Sequence, residues 1–475
     1  MIKDVLSKSV INNLPFSPNE QQNILINILC DYILSNENNS IFLMKGYAGT
    51  GKTSLVGAFV KALSFLNKKT ILLAPTGRAA KVFSNYSDHP AFTIHKKIYR
   101  QKSFSAEMNG FNLSDNLHKD TLFIVDESSM IGNYSESTVF GTGHLLDDLI
   151  EYVYAGENCK LLLLGDIAQL PPVGQPTSPA LDINNLRGYG LDVLDYSLTN
   201  VARQKSESGI LFNATMLREI MDKGEPYPLP QLKTSGFNDV IKVSGTELID
   251  KIASSYSNNG FDQSIIITRS NKRANQFNQG IRNQILFRED EISSGDLLMV
   301  TKNNYFWSKD IKEIDFIANG DIMQVKRVRS FQEIYGFRFV DLEVTLPDYD
   351  VEMDVKIILD TLHQETPSLS PELNNKLFMS VVEDYSYGAT QREVFKKVKE
   401  DPFFNALQVK YGYAVTCHKA QGGQWSDVFL DMGYINKEQL GLDFYRWLYT
   451  AFTRATNKIY LVNIEDDFLE QESKG

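Results

Sequence analysis

Short apolar runs of strand length punctuate the chain: IFLM (41–44), ILLA (71–74), LFIV (122–125), LLLL (161–164), IIIT (265–268), VFL (428–430) and IYLV (459–462). Continuous runs of this kind suit strands buried on both faces, as in a parallel sheet covered by helices. Most are followed by a loop and then a helical pattern, which is βα alternation and predicts an α/β fold. The runs fall into two groups, 41–164 and 265–462, so two α/β sheets are expected. Between 291 and 407 the texture changes. Residues 295–346 alternate as short β segments around an Asn319-Gly320 turn, and 371–400 look helical and charged. That stretch predicts a domain inserted into the second sheet unit. Residues 97–119 form a smaller polar insertion carrying Phe104 and Phe111.

The chain has 475 residues, with 43% hydrophobic and 23% charged, a globular composition that excludes a wholly disordered or fibrous protein. No apolar run approaches the ~18 residues of a membrane span. The start MIKDVLSKSVINNLPF has neither signal-peptide nor transit-peptide character. Cys30, Cys159 and Cys417 are too few and too scattered for a disulfide framework or a zinc site, and a reducing cytoplasm fits them. The net charge of −11 argues against a protein that coats nucleic acid indiscriminately. Two segments run against it. Residues 93–102 hold Lys96, Lys97, Arg100 and Lys102, residues 268–282 hold Arg269, Lys272, Arg273 and Arg282, and neither contains an acid. Local clusters of this sort can follow a phosphate backbone, and they are also ordinary solvated faces.

Gly46-Tyr47-Ala48-Gly49-Thr50-Gly51-Lys52-Thr53 matches G-x-x-x-x-G-K-[ST], after a strand run and before the helical pattern SLVGAFVKAL. Gly46, Gly49 and Gly51 let backbone N–H groups close around phosphates, and the helix N-terminus adds its dipole. Lys52 is then placed to reach the β- and γ-phosphates, and the Thr53 hydroxyl to ligate Mg²⁺. LFIV runs into Asp126-Glu127, an apolar strand ending in an acidic pair. Asp126 can hold the metal, and Glu127 can orient or deprotonate the attacking water. LLLL leads into GDIAQLPP (165–172), which puts Gln169 at a third strand end, where ligands bind in open α/β sheets.

These blocks, with APTGRAAK (74–81), TIHK (93–96), VDES (125–128), GDIAQLPPV (165–173), YAVTCHKAQGGQ (413–424) and LYTAFTRA (448–455), resemble the ordered motifs of superfamily-one helicases. Within these, the string is similar to the RecD-like branch and to the Dda-type helicases of T-even phages. The resemblance implies two RecA-like P-loop domains in tandem: one from 1–96 and 120–205, the other from 206–290 and 408–475. The insertion 97–119 would carry a strand-splitting pin tipped by Phe104 or Phe111. The insertion 291–407 would be a small β-barrel with a helical projection, folded over the strand. The resemblance further implies ATP and Mg²⁺ as cofactors, adenine read by Gln21, and γ-phosphate contacts from Arg203 and Arg454. Gly422 would lie close to the phosphates. Thr76, Arg78, Thr93, His95, Thr416, His418 and Lys419 would line the single-strand path. Tyr449 and Trp425 stay open between a ligand contact and core. The implied activity is ATP-driven translocation on single-stranded DNA with duplex unwinding at junctions, 5′-to-3′. The implied protein is a monomer in the cytoplasm (a host's, if phage-encoded), with replication or single-strand-binding proteins as partners and no zinc or membrane. The backbone-contacting motifs leave an RNA-directed helicase open, and the P-loop alone leaves open an assembly ATPase.

Overall fold

The computed structural model describes residues 2–37, 39–101, 111–133, 141–200, 208–311, 313–314, 316–366, 368–436 and 440–470. Phe104 and Arg203 lie outside the described residues.

The first unit is a parallel sheet of β1 (Ser40–Gly46), β2 (Lys69–Ala74), β3 (Ala91–Thr93), β6 (Thr121–Val125), β7 (Lys160–Gly165) and β8 (Asp192–Leu198), in the order β3-β2-β6-β7-β1-β8. The intervening β4 (Tyr99–Gln101) and β5 (Phe111–Leu113) pair as a separate antiparallel hairpin. Every residue of β6 and β7 is buried, which is why those runs are apolar without alternation. Successive residues of β1 serve opposite cores. Phe42 and Met44 pack with Leu55 and Phe59 of the helix Lys52–Phe65, while Ile41 and Leu43 pack with Ile98 and Leu149.

The second unit is a parallel sheet of β9 (Val240–Val243), β10 (Ser264–Thr268), β16 (Ala414–Thr416), β17 (Trp425–Asp431) and β18 (Ala455–Val462), ordered β16-β10-β17-β18-β9. Between β10 and β16 the chain builds a closed barrel from β11 (Leu297–Val300), β12 (Ile322–Ile334), β13 (Phe337–Leu346), β14 (Val351–Ile358) and β15 (Leu407–Tyr411). Two helices, Pro371–Ser386 and Gln391–Lys399, project between β14 and β15. Closure removes the free sheet edges that an insertion of short strands would otherwise expose. The fold is therefore mixed α/β with two parallel sheets and an inserted barrel, as the sequence pattern leads one to expect.

The units share cores. Leu298 and Val340 of the barrel pack in one cluster with Ile266 and Phe429 of the second sheet. Ala168 and Leu170, beyond β7, are buried in the core of the second unit, with Tyr47 and Ala48 of the P-loop packed against it. At the small hairpin, Phe111 is only 6% exposed, its ring centroid 4.7 Å from that of Tyr305 in the barrel segment. The expectation that Phe111 might tip a pin is corrected: a wedge needs an exposed apolar end, and this ring anchors the hairpin base against the barrel. The three cysteines are free and buried. Among the described residues no helix is long and apolar enough to cross a membrane.

Candidate active site and strand channel

The P-loop spans the turn from β1 into the helix Lys52–Phe65. The Lys52 ammonium donates to the carbonyls of Gly46 (2.6 Å) and Tyr47 (3.0 Å), so the lysine lies along the inside of the loop. The Thr53 hydroxyl donates to Asp126 Oδ2 at 3.3 Å, and Asp126 Oδ1 accepts from the Glu127 backbone N–H at 2.8 Å. Burial, and next the charge of Glu127, push the Asp126 carboxyl up to about 6. A hydroxyl and a buried carboxylate this close form a hard-oxygen pair of the kind Mg²⁺ takes beside phosphates, and a cation there would reverse the cost of ionising Asp126. The residues fit the metal that the motifs imply.

Gln169 is 6% exposed, and its side-chain oxygen has no hydrogen-bond partner among the described residues. A buried acceptor without a donor is costly, and a water O–H would satisfy it. Arg454 follows the helix Leu442–Phe452 of the second unit and is 3% exposed. Its guanidinium donates to Thr450 O (3.2 Å), Gly423 O (3.1 Å) and Thr453 Oγ1 (3.1 Å), and its Nη1 stands 3.9 Å from Glu127 Oε1 in the first unit. The arginine is thus held by one unit and aimed at the Glu127 carboxylate of the other.

Gln21 spends its amide on the first unit itself. Its Nε2 donates to Thr199 Oγ1 (2.9 Å), and its Oε1 accepts from the N–H groups of Thr199 (3.0 Å) and Asn200 (2.9 Å). The neighbouring Gln22, not among the residues singled out from the sequence, is 1% exposed and donates to the P-loop carbonyl of Thr50 at 2.9 Å. Its spacing from Asn19, a capping box, was the available signal. Gly422 is a close-approach position between the two units. Its φ is +74°, and a Cβ there would meet Ala79 Cβ at 2.9 Å and Thr76 Oγ1 at 3.3 Å. It lets the second unit press onto the helix Gly77–Ser87, on the strand side of the cleft.

The strand-path candidates divide. Thr76, Arg78, His418 and Lys419 line one cavity of about 490 Å³, together with Asn319 and Asp321 of the barrel segment. Both sheets and the barrel therefore contribute walls. Thr76 and Thr93 are N-caps, accepting from Ala79 N–H and Lys96 N–H, each at 3.2 Å. Each stands at a strand's C-terminal end, as does Thr416, which pairs with Thr268 in the second sheet. Arg78 lies 4.1 Å over the Trp425 ring and donates to Gln424 O at 3.2 Å, which seats the mostly buried Trp425 in the channel wall. Lys419 donates to Asn319 Oδ1, and burial pushes its ammonium down to about 8. His95 and Thr93 lie outside this cavity. The His95 ring packs near Tyr99 (5.7 Å) and Phe316 (6.1 Å), and burial pushes its pKa down to about 4, so the imidazole is neutral.

This geometry defines a P-loop ATPase whose cleft is completed by a second α/β unit, with a walled channel on the far side of the same interface. Residues 19–219 match the family model described as AAA domain, and 411–462 match the UvrD-like helicase C-terminal domain. An uncharacterized protein of Acanthamoeba polyphaga mimivirus is 22% identical over 93% of this chain and 99% of its own length. The ATP-dependent RecD2 DNA helicase of Deinococcus radiodurans is 24% identical over 88% of this chain, which spans only 46% of that protein. A crystal structure of Pif1 helicase from Bacteroides with ADP-AlF3 and ssDNA aligns over 96% of this chain and 94% of its own, at 14% identity and a TM-score of 0.46. One matched model falls in each sheet unit and the motif blocks stand in order, so the chain is similar to superfamily-one helicases of the RecD-like type.

Proposed function

We propose that the protein is an ATP-dependent single-stranded DNA translocase that unwinds duplexes, moving 5′-to-3′. The direction rests on the resemblance to the RecD-like branch; the observation that carries the coupling of hydrolysis to the strand is the reach of Arg454 across the unit boundary to within 3.9 Å of Glu127, while the same two units and the barrel wall the channel. ATP bound by the P-loop would meet Arg454 only when the units close, so hydrolysis and channel geometry change together. In this reading Lys52 binds the β- and γ-phosphates, and Glu127 accepts a proton from the attacking water, which Gln169 Oε1 orients. Arg454, with Arg203, stabilises the charge on the transferring phosphoryl group, a contribution of about 10³–10⁵ in related NTPases. Thr53 and Asp126 would hold Mg²⁺, which supplies charge neutralisation on the phosphate oxygens. The Thr76 hydroxyl and the His418 imidazole, whose pKa burial lowers, suit a motor, because they contact phosphate without the grip of full charges. Arg454 in the same chain supports hydrolysis without a neighbouring subunit.

The test is unwinding of duplexes bearing a 5′ or a 3′ single-stranded tail, alongside ATPase stimulation by ssDNA and by ssRNA. Unwinding of the 5′-tailed duplex and preferential stimulation by ssDNA are expected. Activity from 3′ tails alone would reverse the direction, and an RNA preference would overturn the substrate.

A further inference from the structure

The helix Leu442–Phe452 brings a tyrosine into the cleft that the hydrolysis chemistry above does not use. Tyr449 is 1% exposed. Its hydroxyl donates to Asp166 Oδ2 at 2.7 Å and accepts from the P-loop N–H of Ala48 at 2.8 Å. Asp166, in turn, accepts from Ala168 N–H through Oδ1 at 3.0 Å, at the start of the segment that carries Gln169. Burial, and next the Asp166 charge, raise the Tyr449 pKa well above its ordinary value, so the hydroxyl stays protonated and can make both bonds at once. One residue on, Thr450 Oγ1 accepts from Leu170 N–H at 2.9 Å, and Thr450 O accepts from Arg454. Three consecutive features of the second unit are thus tied to three of the first: Tyr449 to the P-loop and Asp166, Thr450 to the segment beyond Gln169, Arg454 to Glu127.

We propose that Tyr449 is a positioning residue for ATP hydrolysis, seating the Arg454-bearing helix on the P-loop so that the guanidinium meets the transferring phosphoryl group. The reason is mechanical. Arg454 is fastened within its own unit, so its place over the cleft is set by where its helix docks. A tilt of an ångström at the dock is enough to misplace a group whose value depends on alignment. The Tyr449 hydroxyl bonds the Arg454-bearing helix directly to the loop that holds the phosphates. P-loop shape and arginine position are coupled through one oxygen.

The inference rests on the ATPase reading, so single-turnover hydrolysis is first established for the wild type and abolished in Lys52→Ala. A wild type without ssDNA-stimulated hydrolysis overturns that reading and this proposal with it, whereas failure of the arms below with hydrolysis intact overturns this proposal alone. Tyr449→Phe then keeps the ring and removes both hydrogen bonds. Expected are a fall of about tenfold in kcat, a KM for ATP within about twofold, and a nearly unchanged melting temperature. In the Arg454→Ala background the same substitution should change the rate by less than about twofold, because Tyr449 acts through Arg454. An equal tenfold loss in both backgrounds, a change confined to KM, or an unaltered kcat overturns the proposal. Should Tyr449→Phe fail to fold, Asp166→Asn, which weakens the acceptor and leaves the ring packed, is judged by the same outcomes in the same two backgrounds.

Discussion

The nucleotide cleft and the strand channel lie on one interface and are built on different principles. The cleft assembles from strand ends: Lys52 and Thr53 after β1, Asp126 and Glu127 after β6, Gln169 after β7. Parallel register brings these ends together without help from distant packing, since β1 pairs with β7 and β7 with β6. The channel is assembled by docking. Its walls come from the first helix after β2, the turn after β16 and the barrel segment, pieces separated by hundreds of residues. Chemistry that needs set residue types at set spacing is held by the sheet. The groove is held by side chains meeting across units.

The strongest way to break that contrast is Lys52→Ala. ATPase should fall by about 10³ or more, since the proposed function puts this residue on the transferring group. Nucleotide-free ssDNA affinity, measured by fluorescence anisotropy, should stay within about threefold. Loss of both would mean that the cleft and channel are one inseparable site.

Next is Gly77, the clearest sign of docking. A Cβ at Gly77 would lie 2.2 Å from the hydroxyl oxygen and 2.7 Å from Cζ of Tyr349, in the turn between β13 and β14. Lys81, one helical turn on, donates to Pro347 O at 2.6 Å. The barrel turn is therefore latched onto the helix Gly77–Ser87 along the edge of the channel. Gly77→Ala should push the turn away and weaken ssDNA binding about tenfold, leaving DNA-free ATPase unchanged. Tyr349→Ala in the same chain should restore part of the affinity. Unchanged affinity in Gly77→Ala would show that the latch does not shape the channel.

Here lies the difference in what could be read from the chain. The P-loop, Asp126-Glu127 and Gln169 are visible because phosphate chemistry restricts residue type, and the apolar runs before them announce the strands. Arg78, His418 and Lys419 are visible through the family motifs and do meet in one cavity. Gly422 is legible as a glycine but its neighbour is not, because a glycine is permitted by close approach and its sequence does not say to what. Phe111 was misread because an aromatic in a polar insertion looks exposed until Tyr305, nearly 200 residues later, covers it. Nothing local to GRAAK foretells Tyr349. The hydroxyl of Tyr449 was undecidable for the same reason, since both its partners belong to the other unit.

A milder test sharpens the electrostatic side. Burial holds the Lys419 ammonium at about 8, so its charge should fade between pH 7 and 9, where an ordinary lysine stays protonated. If Lys419 grips a phosphate, raising the pH over that window should weaken ssDNA binding. It should also lower the magnitude of the log–log salt slope by about 0.7, one single-strand contact. Lys419→Arg should remove the pH dependence. A pH-independent slope in the wild type would take Lys419 out of the strand path.

The smallest effect concerns the barrel's own cost for standing in the channel wall. Asp321 is 4% exposed, accepts from Ala318 N–H (2.7 Å) and from the Tyr349 hydroxyl (3.2 Å), and is pushed by burial from the usual 3.8 to about 7. A carboxyl whose folded pKa is raised binds its proton more tightly folded than unfolded. Its protonation therefore favours the fold at low pH, and that advantage is lost as pH rises from about 4 through about 7. Asp321→Asn, neutral throughout, should flatten this part of the melting-temperature profile, shifting it by a few degrees at most. Asp126, raised to about 6, contributes in the same sense without a cation, but Mg²⁺ would hold that carboxylate ionised. The two buried acids thus separate the regions again. Adding Mg²⁺-nucleotide should erase the pH dependence due to Asp126 and leave that of Asp321 untouched, and a nucleotide effect on both would mean that the barrel latch senses the cleft directly.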